Sequence, residues 1–144
     1  MKIYFAGSIR GGRDDQALYA EMVIMLSKYG SVLTEHVGDK NISIMGEGDL
    51  TRQIHDRDIE WLRKADIVVA EVTTASLGVG YEIAKAEEMN KKILCIYRKI
   101  DGRSVSAMIS GSDKLTLKKY ENMEDIKNLF ETFCKASNIL LNNI

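Results

Sequence analysis

Proline is absent from this 144-residue chain, cysteine and histidine occur twice each, and the charges nearly cancel at −1. Each scarcity excludes something. Two isolated thiols, Cys95 inside the apolar run Ile93-Leu94-Cys95-Ile96 and Cys134 further on, suit a reducing compartment and buried apolar roles. A cytoplasmic setting is expected. His36 and His55 form no metal pattern with cysteine or acid partners, so no zinc or other metal site is expected. A near-neutral chain lacks the basic surplus of a general nucleic-acid binder, and an anionic ligand must be held by local donors. No apolar run is long enough to cross a bilayer. Met1-Lys2 leads directly into Ile3-Tyr4-Phe5-Ala6, which reads as a first strand rather than a signal peptide. Without proline, nothing stiffens the polar stretch 37–50, which carries Gly38, Gly46 and Gly48 and is the best candidate for a mobile loop over a site.

Strand and helix patterns alternate along one domain, residues 1–144. Strands are expected at 2–6, 31–35, 66–72, 92–98 and 115–118. Helices are expected at about 14–29, 51–64, 80–90, 104–109 and 123–137, the first closed by Gly30 as an αL cap. The alternation predicts an α/β fold, a five-stranded parallel sheet with helices on both faces, flavodoxin-like or Rossmann-like in winding. Such sheets keep ligands at the carboxyl ends of their strands.

Three stretches fall at those ends. Gly7-Ser8-Ile9-Arg10-Gly11-Gly12-Arg13 follows the first strand with free backbone amides, a hydroxyl and two guanidiniums. It matches neither the dinucleotide fingerprint nor a P-loop, and it favours phosphate over a plain βα turn. Ser76-Leu77-Gly78-Val79-Gly80-Tyr81-Glu82 follows the apolar strand Ile67-Val68-Val69-Ala70 and delivers a carboxylate, Glu82, on the edge of an apolar helix face. Its ordinary explanation is an acid favoured by the helix dipole in a first turn. Ser104-Val105-Ser106-Ala107-Met108-Ile109 opens a short helix with Ser104 as its cap, and Ser106 offers a hydroxyl suited to phosphate.

On the second helix, Asp58 falls among Ile54, Trp61, Leu62 and Ala65, whereas Asp56, Arg57, Glu60, Arg63 and Lys64 point elsewhere. An acid there is either paired structurally or used. Two half-buried carboxylates flanking one crevice, Asp58 and Glu82, match the acid and nucleophile of a retaining glycosidase. Tyr4 is positioned to orient Glu82, or is simply core. His36 could contact a base, or lie on the surface. Glu71, ending a buried strand, is a rival acid unless an arginine pairs with it.

Taken together these stretches resemble the 2'-deoxynucleoside 5'-phosphate N-hydrolase family, within the nucleoside 2-deoxyribosyltransferase superfamily. The likeness runs through Tyr4 to Gly12, Asp15 to Ala20, Val32 to His36, Ile54 to Leu62, Ala65 to Glu82, and Ser106 to Ile109. It is weakest over 37–50. The resemblance implies cleavage of a deoxynucleoside monophosphate into base and 2-deoxyribose 5-phosphate through a glycosyl ester on Glu82. Asp58 would protonate the base, and Tyr4 would position Glu82. Ser8, Arg10, Ser76 and Gly78 would bind phosphate, with Ser106 reaching across a homodimer. No cofactor is expected. Alternatives are a deoxyribosyltransferase, in which a second base replaces water, a ribonucleotide hydrolase of the same fold, and a non-catalytic nucleotide-binding module.

Overall fold

The computed structural model describes residues 1–8, 15–34, 51–102 and 104–142. Its elements alternate: β1 (Lys2–Ala6), α1 (Gln16–Leu26), β2 (Ser31–Val32), α2 (Thr51–Lys64), β3 (Ile67–Glu71), α3 (Leu77–Glu88), β4 (Lys92–Tyr97), α4 (Ala107–Ser110), β5 (Thr116–Lys119) and α5 (Met123–Leu141). Every strand pairing is parallel, in the order β2-β1-β3-β4-β5. The chain winds one way from β1 to β2 and the other way from β3 to β5. The winding therefore reverses between β1 and β3, where an open α/β sheet forms its ligand crevice.

Alternation of side chains splits the core in two. Ile3, Phe5, Val69, Leu94 and Ile96 face α1 and α5, meeting Tyr19, Met22, Leu26, Ile126 and Phe130. Tyr4, Ala6, Val68, Ala70, Ile93 and Cys95 face α2 and α3, meeting Leu62, Val79, Ile83 and Ala86. The two cysteines are wholly buried in these layers, and burial raises the thiol of Cys95 to about 12 and that of Cys134 to about 11. At the edge, β5 presents Lys118 and Lys119 to solvent, which discourages further strand pairing.

Several boundaries differ from the sequence expectation, each for a local reason. The second strand is only Ser31–Val32, because the Thr34 hydroxyl takes over the ladder: it accepts from the Phe5 amide at 2.8 Å and donates to the Phe5 carbonyl at 2.7 Å. The first helix stops at Leu26, with tighter bonds from Lys28 to Met25 and from Tyr29 to Leu26 closing it. Gly30 is no αL cap; a Cβ there would lie 2.1 Å from the Met1 carbonyl oxygen, so close chain approach requires glycine. The third helix starts at Leu77 rather than Gly80, since the Ser76 hydroxyl accepts from the Val79 amide and caps it. It ends in a Schellman motif, with Asn90 at φ 55° and the Lys91 and Asn90 amides bonded to Ala86 and Glu87. The short fourth helix is capped by Ser106, not Ser104. The last continues to Leu141, beyond the expected Ser137, from an Asn122–Asp125 capping box.

Candidate active site

The face of the sheet under α2 and α3 places three of the expected residues together. Tyr4 leaves β1 almost wholly buried, and its hydroxyl donates to Glu82 Oε1 at 2.8 Å. Glu82 sits in the second turn of α3, because the helix begins earlier than expected; the dipole preference for acids in a first turn therefore does not explain it. Burial pushes Glu82 up from the ordinary 4.5 to about 7. The Tyr4 hydrogen bond opposes that rise and the Asp58 charge adds to it. Burial, then the charges of Glu82 and Asp58, hold the Tyr4 phenol far above its usual range, so it remains a donor. Asp58 thus acts electrostatically on both members of the Tyr4–Glu82 pair from the neighbouring helix.

Asp58 is largely covered, with 19% of its side chain exposed. Arg57, which the helical pattern assigned elsewhere, turns back to grip Asp58 Oδ1 from Nε and Nη2, each at 3.0 Å. Its guanidinium also lies 4.5 Å from the centre of the Trp61 ring. The structural pairing open to this acid is therefore present, with an arginine as the partner. It is the adjacent residue, invisible to a reading based on helix faces.

Two further groups join α2 to α3 nearby. His55 Nε2 and the Tyr81 hydroxyl are 3.3 Å apart, and Asp56 lies 3.0 Å from His55 Nδ1. Helical spacing puts His55 one turn before Asp58, and Tyr81 is beside Glu82. Neither was expected to contribute; a polar pair three residues from one acid and adjacent to the other was the available signal.

At the end of β1, Ser8 is fully buried and its Oγ has no hydrogen-bond partner among the described residues. Ser76 Oγ is engaged as the α3 cap. Among the described residues, a Cβ at Gly80 would meet nothing within 4 Å, and one at Gly78 only Ser76 Oγ at 3.8 Å. Ser106, Ala107 and Met108 are exposed on α4. Ile9, Arg10, Gly11, Gly12, Arg13 and His36, together with the stretch 37–50, lie outside the described residues.

Glu71 falls on the opposite face, towards α1 and α5, and so is not a rival acid in this cleft. It accepts hydrogen bonds from Tyr19, Tyr120 and Thr73, while Arg98 pairs with Asp15 instead. Among the described residues, no group of three or more histidine, cysteine, aspartate or glutamate side chains is arranged to hold a metal. None of the described helices is long and apolar enough to cross a membrane.

Comparison with known proteins agrees with this architecture. A Tetraodon nigroviridis protein named 5-hydroxymethyl-dUMP N-hydrolase is 57% identical over 117 residues, covering 78% of this chain and 81% of its own. A Danio rerio protein of the same name is 47% identical over 136 residues, covering 92% and 95%. Among solved structures, a Clostridium botulinum CMP N-glycosidase superposes with a TM-score of 0.64 at 15% identity, covering 91% of this chain and 99% of its own. A 2-deoxyribosyltransferase from Bacillus psychrosaccharolyticus gives 0.62 at 17%, covering 89% and 91%; at such identities the two structures speak for the fold alone. The family model for nucleoside 2-deoxyribosyltransferase matches residues 3–133, from the first strand into the last helix, and this chain belongs to that family.

Proposed function

We propose that this protein is an N-glycosidase, hydrolysing 2'-deoxynucleoside 5'-monophosphates to free base and 2-deoxyribose 5-phosphate within one domain. The observation that carries the reading is the Tyr4–Glu82 hydrogen bond with the Asp58 charge beside it, on the cleft side of a family-typical sheet. The relatives' names support hydrolysis of a monophosphate and make 5-hydroxymethyl-dUMP the first substrate to test.

In the proposed reaction, ionised Glu82 attacks the anomeric carbon as the C–N bond breaks. The electron pair of that bond goes to the base nitrogen, which takes a proton from Asp58. Water then attacks the same carbon, Asp58 recovers its proton from that water, and Glu82 departs as carboxylate. Tyr4 fixes the Glu82 rotamer throughout. Ser8, Arg10, Ser76 and Gly78 hold the phosphate, and Ser8 Oγ, buried and without a partner among the described residues, suits this role. The pairing of Asp58 with Arg57 also suits an acid that only anchors α2, and dependence on the leaving group separates these roles.

The proposal includes a homodimer in which Ser106 completes the partner's phosphate site. Leu77 and Met108, 96% and 83% exposed, and half-exposed Tyr81 support an apolar contact around α3 and α4. A cytoplasmic setting is supported by the two free, buried thiols. The test is a product assay with 5-hydroxymethyl-dUMP, dGMP, GMP, and deoxyguanosine with free adenine. Released base and sugar phosphate from the deoxynucleotides is expected. Faster base exchange than hydrolysis would instead establish the transferase, and binding without turnover would establish the nucleotide-binding module.

A further inference from the structure

The carboxyl ends of β1, β3 and β4 are joined behind the cleft by a closed circuit of hydrogen bonds. The Ser8 amide donates to the Tyr19 hydroxyl at 3.3 Å, and that hydroxyl donates to Glu71 Oε2 at 3.3 Å. Glu71 Oε1 accepts from the Thr73 hydroxyl, which itself accepts from the Arg98 amide at 3.0 Å. The Arg98 guanidinium reaches Asp15 Oδ1 at 2.5 Å, and the Asp15 carbonyl accepts from the Tyr19 amide at 2.9 Å, closing the circuit. Tyr120 adds a donor to Glu71 Oε1 at 3.0 Å and makes no part of the link from Ser8 through Tyr19 to Glu71.

The donor chains that start at the Ser8 amide and at the Arg98 amide terminate on one group. Tyr19, Tyr120 and Thr73 all give their hydroxyl protons to Glu71, which is 0% exposed, and the Thr73 amide donates to it as well at 3.3 Å. Only a side chain with acceptors and no donor satisfies this pattern, and ionised glutamate is such a group. The circuit also has a specific placement. Ser8, at the carboxyl end of β1, is fully buried, and its amide is tied through the Tyr19 hydroxyl to that carboxylate.

We propose that Glu71 is a positioning residue for phosphate recognition: as the acceptor of the Tyr19 hydroxyl, which in turn holds the Ser8 amide, it fixes the seat of Ser8 at the carboxyl end of β1. This inference rests on the monophosphate reading above. It assigns to the face away from Glu82 a role in binding, and none in breaking the glycosidic bond.

The test compares Glu71→Gln, Tyr19→Phe and Tyr120→Phe, with thermal melting measured alongside kinetics on the best deoxynucleotide. Glutamine brings two donors against hydroxyls already donating there, and Tyr19→Phe removes the acceptor of the Ser8 amide. Both should raise KM for the monophosphate about tenfold, the effect of a lost hydrogen bond on binding. Their kcat should stay within about threefold of the unmodified protein, since no interaction confined to the transition state is removed. Tyr120→Phe deletes a comparable buried hydrogen bond to Glu71 but leaves both links from Ser8 through Tyr19 to Glu71 in place, so it should lower the melting temperature and leave KM within about threefold. A lower kcat at unchanged KM, or a Tyr120→Phe effect on KM equal to that of Tyr19→Phe, would overturn the proposal. If Glu71→Gln does not fold, Tyr19→Phe against Tyr120→Phe decides alone. If the unmodified protein turns over no deoxynucleotide, calorimetry with 2-deoxyribose 5-phosphate and inorganic phosphate replaces kinetics. Binding about tenfold weaker in Tyr19→Phe then upholds the circuit even as hydrolysis is rejected, and equal or absent binding rejects it.

Discussion

Two glutamates, each hydrogen-bonded to a tyrosine of the core, occupy opposite faces of the same sheet. Glu71 receives hydroxyls from Tyr19, Tyr120 and Thr73; burial still raises its pKa, and the hydrogen bonds of Thr73 and Tyr120 oppose that rise. Among the described residues Glu82 receives one, from Tyr4, and faces a second acid instead of a cation. A buried carboxylate surrounded by donors has its charge consumed in holding structure. One left with a single donor keeps charge density for a ligand, at a cost to the fold. The contrast is between an acid enclosed by donors and the acid proposed to react.

The strongest way to break this comparison is to neutralise each glutamate in turn. Glu82→Gln should lower kcat by at least about 10⁴-fold, as expected when a nucleophile is lost. Single-turnover product release measures it, and kcat within tenfold of the unmodified protein would remove Glu82 from the chemistry. Asp58→Asn should cost about 10² to 10⁴-fold, the usual range for a proton donor. The loss should be steepest for bases that leave poorly. A uniform, small effect across a panel of bases would leave Asp58 as the structural partner of Arg57.

The same two faces show what the sequence made legible. The strand pattern named β1, β3 and β4 because each is buried on both sides, and the helical pattern placed Asp58 on the α2 side facing the cleft. The place of Glu82 beside Tyr4 was legible because it follows a small-residue loop at the carboxyl end of a buried strand and borders the apolar face of its helix. Thr34 was not legible as a ladder substitute: its hydroxyl stands in for backbone, a relation without periodicity. Nor was the hold of Arg57 on Asp58, since neighbouring residues point apart until a long flexible side chain turns back. The Glu71 circuit was hidden more deeply still, for its members come from five separate segments and meet only when the sheet is assembled.

Stability gives a second contrast, with the opposite sign. Because Glu82 rises from 4.5 to about 7 on folding, the folded chain holds more protons than the unfolded one between those values. Stability therefore falls as pH rises through that window, and above it the buried carboxylate costs up to about 3 kcal/mol. Glu82→Gln should accordingly raise the melting temperature at pH 8 and change it little at pH 4. Glu71→Gln should lower it at both. Denaturant titrations at the two pH values measure the difference, and a Glu82→Gln protein no more stable at pH 8 would contradict the unpaired-charge account.

The smallest effect belongs to Tyr4→Phe, and its sign is specific. The ring is almost wholly buried, so phenylalanine retains the packing and loses only the hydroxyl. That hydroxyl pulls the Glu82 pKa down against burial and against Asp58, so its removal must raise it above about 7. A reaction that needs ionised Glu82 gains activity as pH rises through that value, and in Tyr4→Phe the acid limb of kcat/KM should move to higher pH. The loss should be about tenfold near neutrality, the worth of one charge-assisted hydrogen bond, and should shrink as pH rises. A limb that stays in place while activity falls equally at every pH would mean that Tyr4 orients Glu82 without tuning its charge. A limb displaced to lower pH would mean that the hydroxyl serves some other group, and the link from β1 to the reacting carboxylate would be lost.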